Sequence, residues 1–212
     1  MLFDSSEEEN SFIEEDTHPE DELLKVTSLR CQFHVGCKLD LRLLSYWLPN
    51  SVHEAGKSFL LHRLSNPHVT ANIQHSGSIM LTGVKTLQDA LRAARVIAYR
   101  IQKHLRNIRI SNDKFDIHPD EVGVQQFQIV SYSISAQVPY RINLAKLSDE
   151  DNVSYDAEQS QGASYTIAIG NRDVKSSIYS TGKVRLNSVK RLKDGKKAWR
   201  ILYNEVLPKY KN

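Results

Sequence analysis

Residues 76–103 and 181–208 are two copies of one segment. Sliding the chain by 105 positions sets SGSIMLTGVKTLQDALRAARVIAYRIQK over TGKVRLNSVKRLKDGKKAWRILYNEVLP without a gap. Eight positions are identical: Gly77/Gly182, Leu81/Leu186, Val84/Val189, Lys85/Lys190, Leu87/Leu192, Asp89/Asp194, Ala93/Ala198 and Arg95/Arg200. A repeat this long that occurs only twice is no solenoid; it predicts a duplicated unit with pseudo-twofold symmetry.

Both copies have the same grammar. A strand with period-2 alternation ends at Ser76-Gly77 or Thr181-Gly182, a tight-turn signal. A second strand follows, and an amphipathic helix starts near Thr86 or Arg191, with Leu87, Leu91, Ala94, Ile97, Ala98 and Ile101 at helical spacing. Upstream, Leu39 to Leu48 and Pro139 to Leu147 read as matching short helices. The expected fold is α+β: two units sharing one antiparallel sheet, with helices on one face.

Charge is distributed unevenly. Residues 1–22 hold ten acidic side chains and no Lys or Arg, so they read as a disordered acidic tail; 28 basic groups face 15 acidic ones over residues 23–212. A body that basic favours a polyanionic partner. No apolar run is long enough to span a bilayer, and no secretory pattern opens the chain. Cys31 and Cys37 have no metal-type spacing and read as small buried hydrophobes. No Gly-rich phosphate loop or HExxH is present, and the scattered histidines have no ligand-spaced companions, so neither metal, cofactor nor enzyme is expected.

The stretch Gly36-Cys37-Lys38-Leu39-Asp40-Leu41 resembles the GC(K/R)LDL signature of the TATA-box-binding protein (TBP) family. Pro67-His68-Val69-Thr70-Ala71-Asn72-Ile73, Ser76-Gly77 and Leu81-Thr82-Gly83-Val84-Lys85 are similar to its strand-turn-strand signature. The second half is more diverged but keeps Pro139, Arg141, Tyr155, Glu158, Tyr165 and Thr181-Gly182-Lys183. The resemblance implies a saddle: a curved ten-strand antiparallel sheet, four helices on its convex side and a concave underside that grips the DNA minor groove. Residues 23–106 and 107–212 would be its two repeats, within one continuous domain.

Alternation then sorts the strands. Leu29, Cys31, Phe33, Val69, Ala71, Ile73, Ile79, Leu81, Val130, Tyr132, Ile134, Val184 and Leu186 should face the helices, and their neighbours the underside. By the resemblance, four phenylalanine wedges would fall at Lys57, Gln74, Ser160 or Gly162, and Tyr179. None is Phe, although Phe59 lies near Lys57. Thr82 matches a minor-groove contact and Asn187 is its repeat mate; Arg63 and Lys183 match phosphate contacts. Arg30, Gln32, Asn72 and Arg185 complete the candidate DNA-binding set. Unstacking a base step costs about a few kcal/mol, which polar side chains do not repay by burial, so weak or no TATA recognition is expected.

Tyr155, Asp156 and Glu158 resemble the family's stirrup for transcription factor IIB, and residues 52–63 fall where factor IIA docks. The resemblance thus implies a nuclear, TBP-like general factor in RNA polymerase II initiation. A saddle-shaped adaptor that binds transcription or chromatin proteins without DNA is the alternative.

Overall fold

A computed structural model describes residues 18–54, 56–111 and 119–212, with side chains of 108–111 excepted. Most of the acidic tail, residues 1–17, lies outside the described residues.

Ten strands form one antiparallel sheet. They are β1 (Lys25–His34), β2 (Ser51–Val52), β3 (Phe59–Ser65), β4 (His68–Gln74), β5 (Ser78–Val84), β6 (Gln125–Gln137), β7 (Val153–Ser154), β8 (Gly162–Ile169), β9 (Arg172–Tyr179) and β10 (Lys183–Val189). Their order across the sheet is β2-β3-β4-β5-β1-β6-β10-β9-β8-β7. The first five strands and the last five are mirror orderings about the β1–β6 seam, as a duplication requires. The helices are α1 (Leu41–Trp47), α2 (Leu87–Ser111), α3 (Leu144–Leu147) and α4 (Leu192–Ile201), the last running on through single turns at Leu202–Val206 and Leu207–Tyr210.

The two halves use the same local chemistry. Asp40 caps α1 by accepting from the Leu43 amide at 3.0 Å, and Asn143 caps α3 by accepting from the Lys146 amide at 3.1 Å. The expected turns recur too: Gly77 N–H donates to Gln74 O at 3.0 Å and Gly182 N–H to Tyr179 O at 2.9 Å. Each half has its own apolar core under its own long helix, one built around Phe33, Leu81 and Ile97, the other around Trp199, Ile134 and Leu186. Tyr132 packs against both. Burial raises the Cys31 thiol to about 11, in keeping with a buried hydrophobe.

Two expectations are corrected. Val130 does not join Tyr132 and Ile134 in facing the helices. The pairing with β1 steps from Arg30↔Ser131 to Cys31↔Ile129, so Val130 is the extra residue of a bulge and the alternation reverses there. Phe127 and Ile129, before the bulge, pack on the first core instead. The tail, secondly, is not free as far as residue 22. Pro19–Leu23 form a tight turn held on α4: Trp199 Nε1 donates to Glu20 O at 2.8 Å, and Arg200 donates to both carboxylate oxygens of Asp21 at 3.2 and 2.7 Å. The bidentate pairing ties an acidic pair to the second half, which charge counting alone does not reveal.

One buried position is polar. His62 on β3 is fully buried, with Nδ1 at 2.9 Å from Ser51 Oγ and Nε2 accepting from Arg100 at 3.3 Å. Burial first, and the Arg100 charge second, push its pKa down to about 4. A histidine whose folded pKa is depressed stabilises the fold fully above its unfolded pKa. That contribution is lost as pH falls from about 6.5 toward the folded value, and amounts to roughly 3 kcal/mol. We expect the unfolding free energy to fall across that window, and His62→Leu to flatten the slope in denaturant titrations at pH 7, 5.5 and 4.5.

Candidate nucleic-acid interface

The helices cover one face of the sheet, and the opposite face carries the side chains that alternate with the core. Along β4 and β5, Thr70, Asn72, Gln74, Ser78, Met80 and Thr82 alternate with buried Val69, Ala71, Ile73, Ile79 and Leu81. Along β9 and β10, Ser177, Tyr179, Lys183, Arg185 and Asn187 do the same against Ser176, Ile178, Val184 and Leu186. The open face is therefore polar and, at Arg30, Arg63, Lys175, Lys183 and Arg185, cationic.

Its centre is a floor of small hydroxyls between two arginines. Arg30 on β1 stands opposite Ser131 of β6, and Arg185 on β10 stands opposite Ser135 of the same strand and Ser177 of β9. Ser133 pairs with Ser28 between them. Both arginines are exposed, and neither forms an ion pair among the described residues.

The other predicted residues are placed as follows. Gln32 donates from Nε2 to Ser78 Oγ at 3.1 Å. Thr82 stands opposite Thr70 and donates to its carbonyl at 3.3 Å. Asn187 donates to Ser177 Oγ at 3.0 Å. Asn72 sits between Leu61 and Met80, with Oδ1 buried and without a hydrogen-bond partner among the described residues. Arg63 is exposed opposite Thr70.

The outer ends are equivalent under the repeat. Gln74 and Tyr179 are repeat mates; Gln74 pairs with Phe59 and Tyr179 with Gly162. Each end thus carries one aromatic ring opposite a residue that is not aromatic, on exchanged strands. The Tyr179 ring lies over Gly162, where an added Cβ would come within 3.0 Å of Cε1, and the Arg185 guanidinium is 5.7 Å from its centre. Lys57 precedes β3, with Nζ 5.9 Å from the Phe59 ring centre and 3.8 Å from Glu54 Oε2. The strand position across from Gln74 therefore belongs to Phe59, not to Lys57. Ser160, the other candidate, lies in the loop before β8, where its hydroxyl donates to Gly162 O at 2.8 Å.

Phe59 and Leu61 were missed as open-face residues by sequence reasoning. FLLHRLS has apolar residues in both phases, and the deciding signal is the unlikely one: His62 points inward with Leu60 and Leu64.

A family model described as transcription factor TFIID, or TATA-binding protein, matches residues 24–104 and 126–208. The chain belongs to the TBP family. TATA box-binding protein-like 1 of Danio rerio is 26% identical over 163 residues, covering 75% of this chain and 78% of the relative. The TATA-box-binding protein of Archaeoglobus fulgidus is 29% identical over 192 residues, covering 88% and 96%. The solved Methanococcus jannaschii TBP superposes with a TM-score of 0.65 at 22% identity, over 86% of this chain and 97% of that one. The ten-strand sheet with four helices is thus the saddle of the family, its open face the underside. Membership makes the chain a TBP-related transcription factor and not an enzyme.

In the second half, Tyr155 packs partly on the core, while Asp156 and Glu158 are exposed. Asp156 Oδ1 accepts from the Glu158 amide at 2.9 Å, shaping the turn that presents both carboxylates. Among the described residues no helix is long and apolar enough to cross a membrane.

Proposed function

We propose that the chain is a nuclear TBP-like factor in RNA polymerase II initiation. It touches promoter DNA through charge, recognises TATA elements weakly or not at all, and acts with transcription factors IIA and IIB. The observation that carries this reading is the serine floor flanked by Arg30 and Arg185. It offers cations to a polyanion without the apolar surface that offsets base unstacking. Gln32, Arg63, Asn72, Gln74, Thr82, Tyr179, Lys183 and Asn187 line the same face, with Lys57 at its margin. A single ring at each outer end supports weak kinking, because Tyr179 is engaged by Arg185 and Gly162 rather than free to enter a base step. Exposed Asp156 and Glu158 support a basic partner surface at the second-half stirrup. The repeats 23–106 and 107–212 belong to this reading as two arms of one domain.

Gel-shift titrations on TATA and TATA-less duplexes, with and without factors IIA and IIB, test it. The expected result is salt-dependent binding, with less than about tenfold preference for TATA. No binding to either duplex with both factors present would leave the adaptor reading, and a strong TATA preference would overturn weak recognition.

A further inference from the structure

The convex side carries an apolar patch that the pseudo-symmetry shows to be unnecessary for folding. Leu43, Tyr46 and Trp47 on α1 are 39%, 75% and 59% exposed. Leu43 and Trp47 are one helical turn apart, as are Arg42 and Tyr46, so the four side chains form one surface. The Trp47 ring meets His104 of α2 at 5.3 Å, which places Lys103 beside the patch.

The second half supplies an internal control. The caps Asp40 and Asn143 set the register, buried Leu41 and Leu44 match buried Leu144 and Leu147, and Ser45 and Ser148 each donate to the carbonyl three residues earlier. In that register Leu43, Tyr46 and Trp47 correspond to Lys146, Asp149 and Glu150, and Arg42 to Ala145. The 105-residue shift matches Lys103 with Pro208. The same helix position is therefore met with charged side chains in one half. The other half places two exposed aromatics and a leucine there, beside two cations with no ion pair among the described residues.

We propose that this patch docks an acidic segment of a partner protein that carries aromatic or aliphatic side chains. Charge complementarity decides the occupant. Arg42 and Lys103 edge the apolar surface and attract carboxylates, whereas a second copy would set the same cations against themselves. Tyr and Trp provide large contact area at low entropic cost, the usual make-up of an interface centre. A nucleic acid would be served by the cations but not by Leu43.

The probe is a labelled synthetic peptide of about twelve residues alternating Asp and Glu with Leu and Phe, with a Lys-for-acid version as control. Anisotropy on the full chain should show micromolar, salt-sensitive binding of the acidic peptide only. Trp199 is fully buried, so emission that shifts to the blue on binding reports Trp47. The combined variant Leu43→Lys, Tyr46→Asp, Trp47→Glu gives α1 the residues of α3, which the fold already tolerates, and should weaken binding by about tenfold or more. Tyr46→Ser keeps the Trp47 reporter and should weaken it less. The proposal is overturned if the combined variant binds equally or the Lys peptide binds as well. It also fails if a duplex oligonucleotide occupies the patch, if deleting residues 1–17 alone exposes Trp47, or if the variant abolishes self-association of the chain.

Discussion

Gly182→Ala should cost the fold about 3–5 kcal/mol, and Gly77→Ala a similar amount. Both glycines sit in the left-handed region, at φ 83° and 91°. That alone costs an alanine about 1–2 kcal/mol. The larger part is steric: a Cβ at Gly182 would lie 2.3 Å from Tyr140 O and 2.8 Å from Val138 O, and one at Gly77 2.0 Å from Cys37 O. These are backbone atoms fixed by the same turns, for Val138 N–H donates to Gly182 O and Val35 N–H to Gly77 O, each at 3.0 Å. Neither wall can move without breaking the joint between the hairpin and the chain leaving β1 or β6. Gly170→Ala is the control, since its φ is 60° and no atom lies within 4 Å of the added carbon. Denaturant unfolding of the three variants separates the terms: Gly182→Ala falling within about 1 kcal/mol of Gly170→Ala would show that the hairpin joint yields.

Those two glycines also show how much was legible in advance. The repeat aligns them, and their partners in the turn follow from the period-2 strands on either side. The core was readable for the same reason: Leu29, Cys31, Phe33, Val69, Ala71 and Ile73 alternate cleanly with polar neighbours, and all six are buried. Legibility ended where alternation did. At Val130 a bulge inserts one residue, and nothing in the run QIVSYSIS marks which side chain loses its place. In β3 both phases are apolar, so the inward turn of His62 and the outward turn of Phe59 depend on Ser51 and Arg100, 11 and 38 residues away along the chain. The docking of Glu20 and Asp21 spans 179 to 184 residues, and composition alone assigned them to a tail.

Reversing both central arginines, Arg30→Glu with Arg185→Glu, should produce the largest functional change. If each meets a phosphate, losing two contacts lowers the slope of log affinity against log salt by about 1.8 and weakens binding by about a hundredfold or more at low salt. The added carboxylates repel the duplex on top of that loss. Folding should be unaffected, because both side chains are exposed and their cross-strand neighbours are serines, which lose no partner. Reversing Lys193 and Lys197 on α4, which faces away from the open side, removes the same net charge and provides the control. Equal losses from the two pairs would mean that net charge alone attracts DNA and the serine-floored face holds no site. A loss confined to Arg30 and Arg185 would locate the contact between them. Sequence preference should stay unchanged in either case, since phosphate contacts position a duplex without reading its bases.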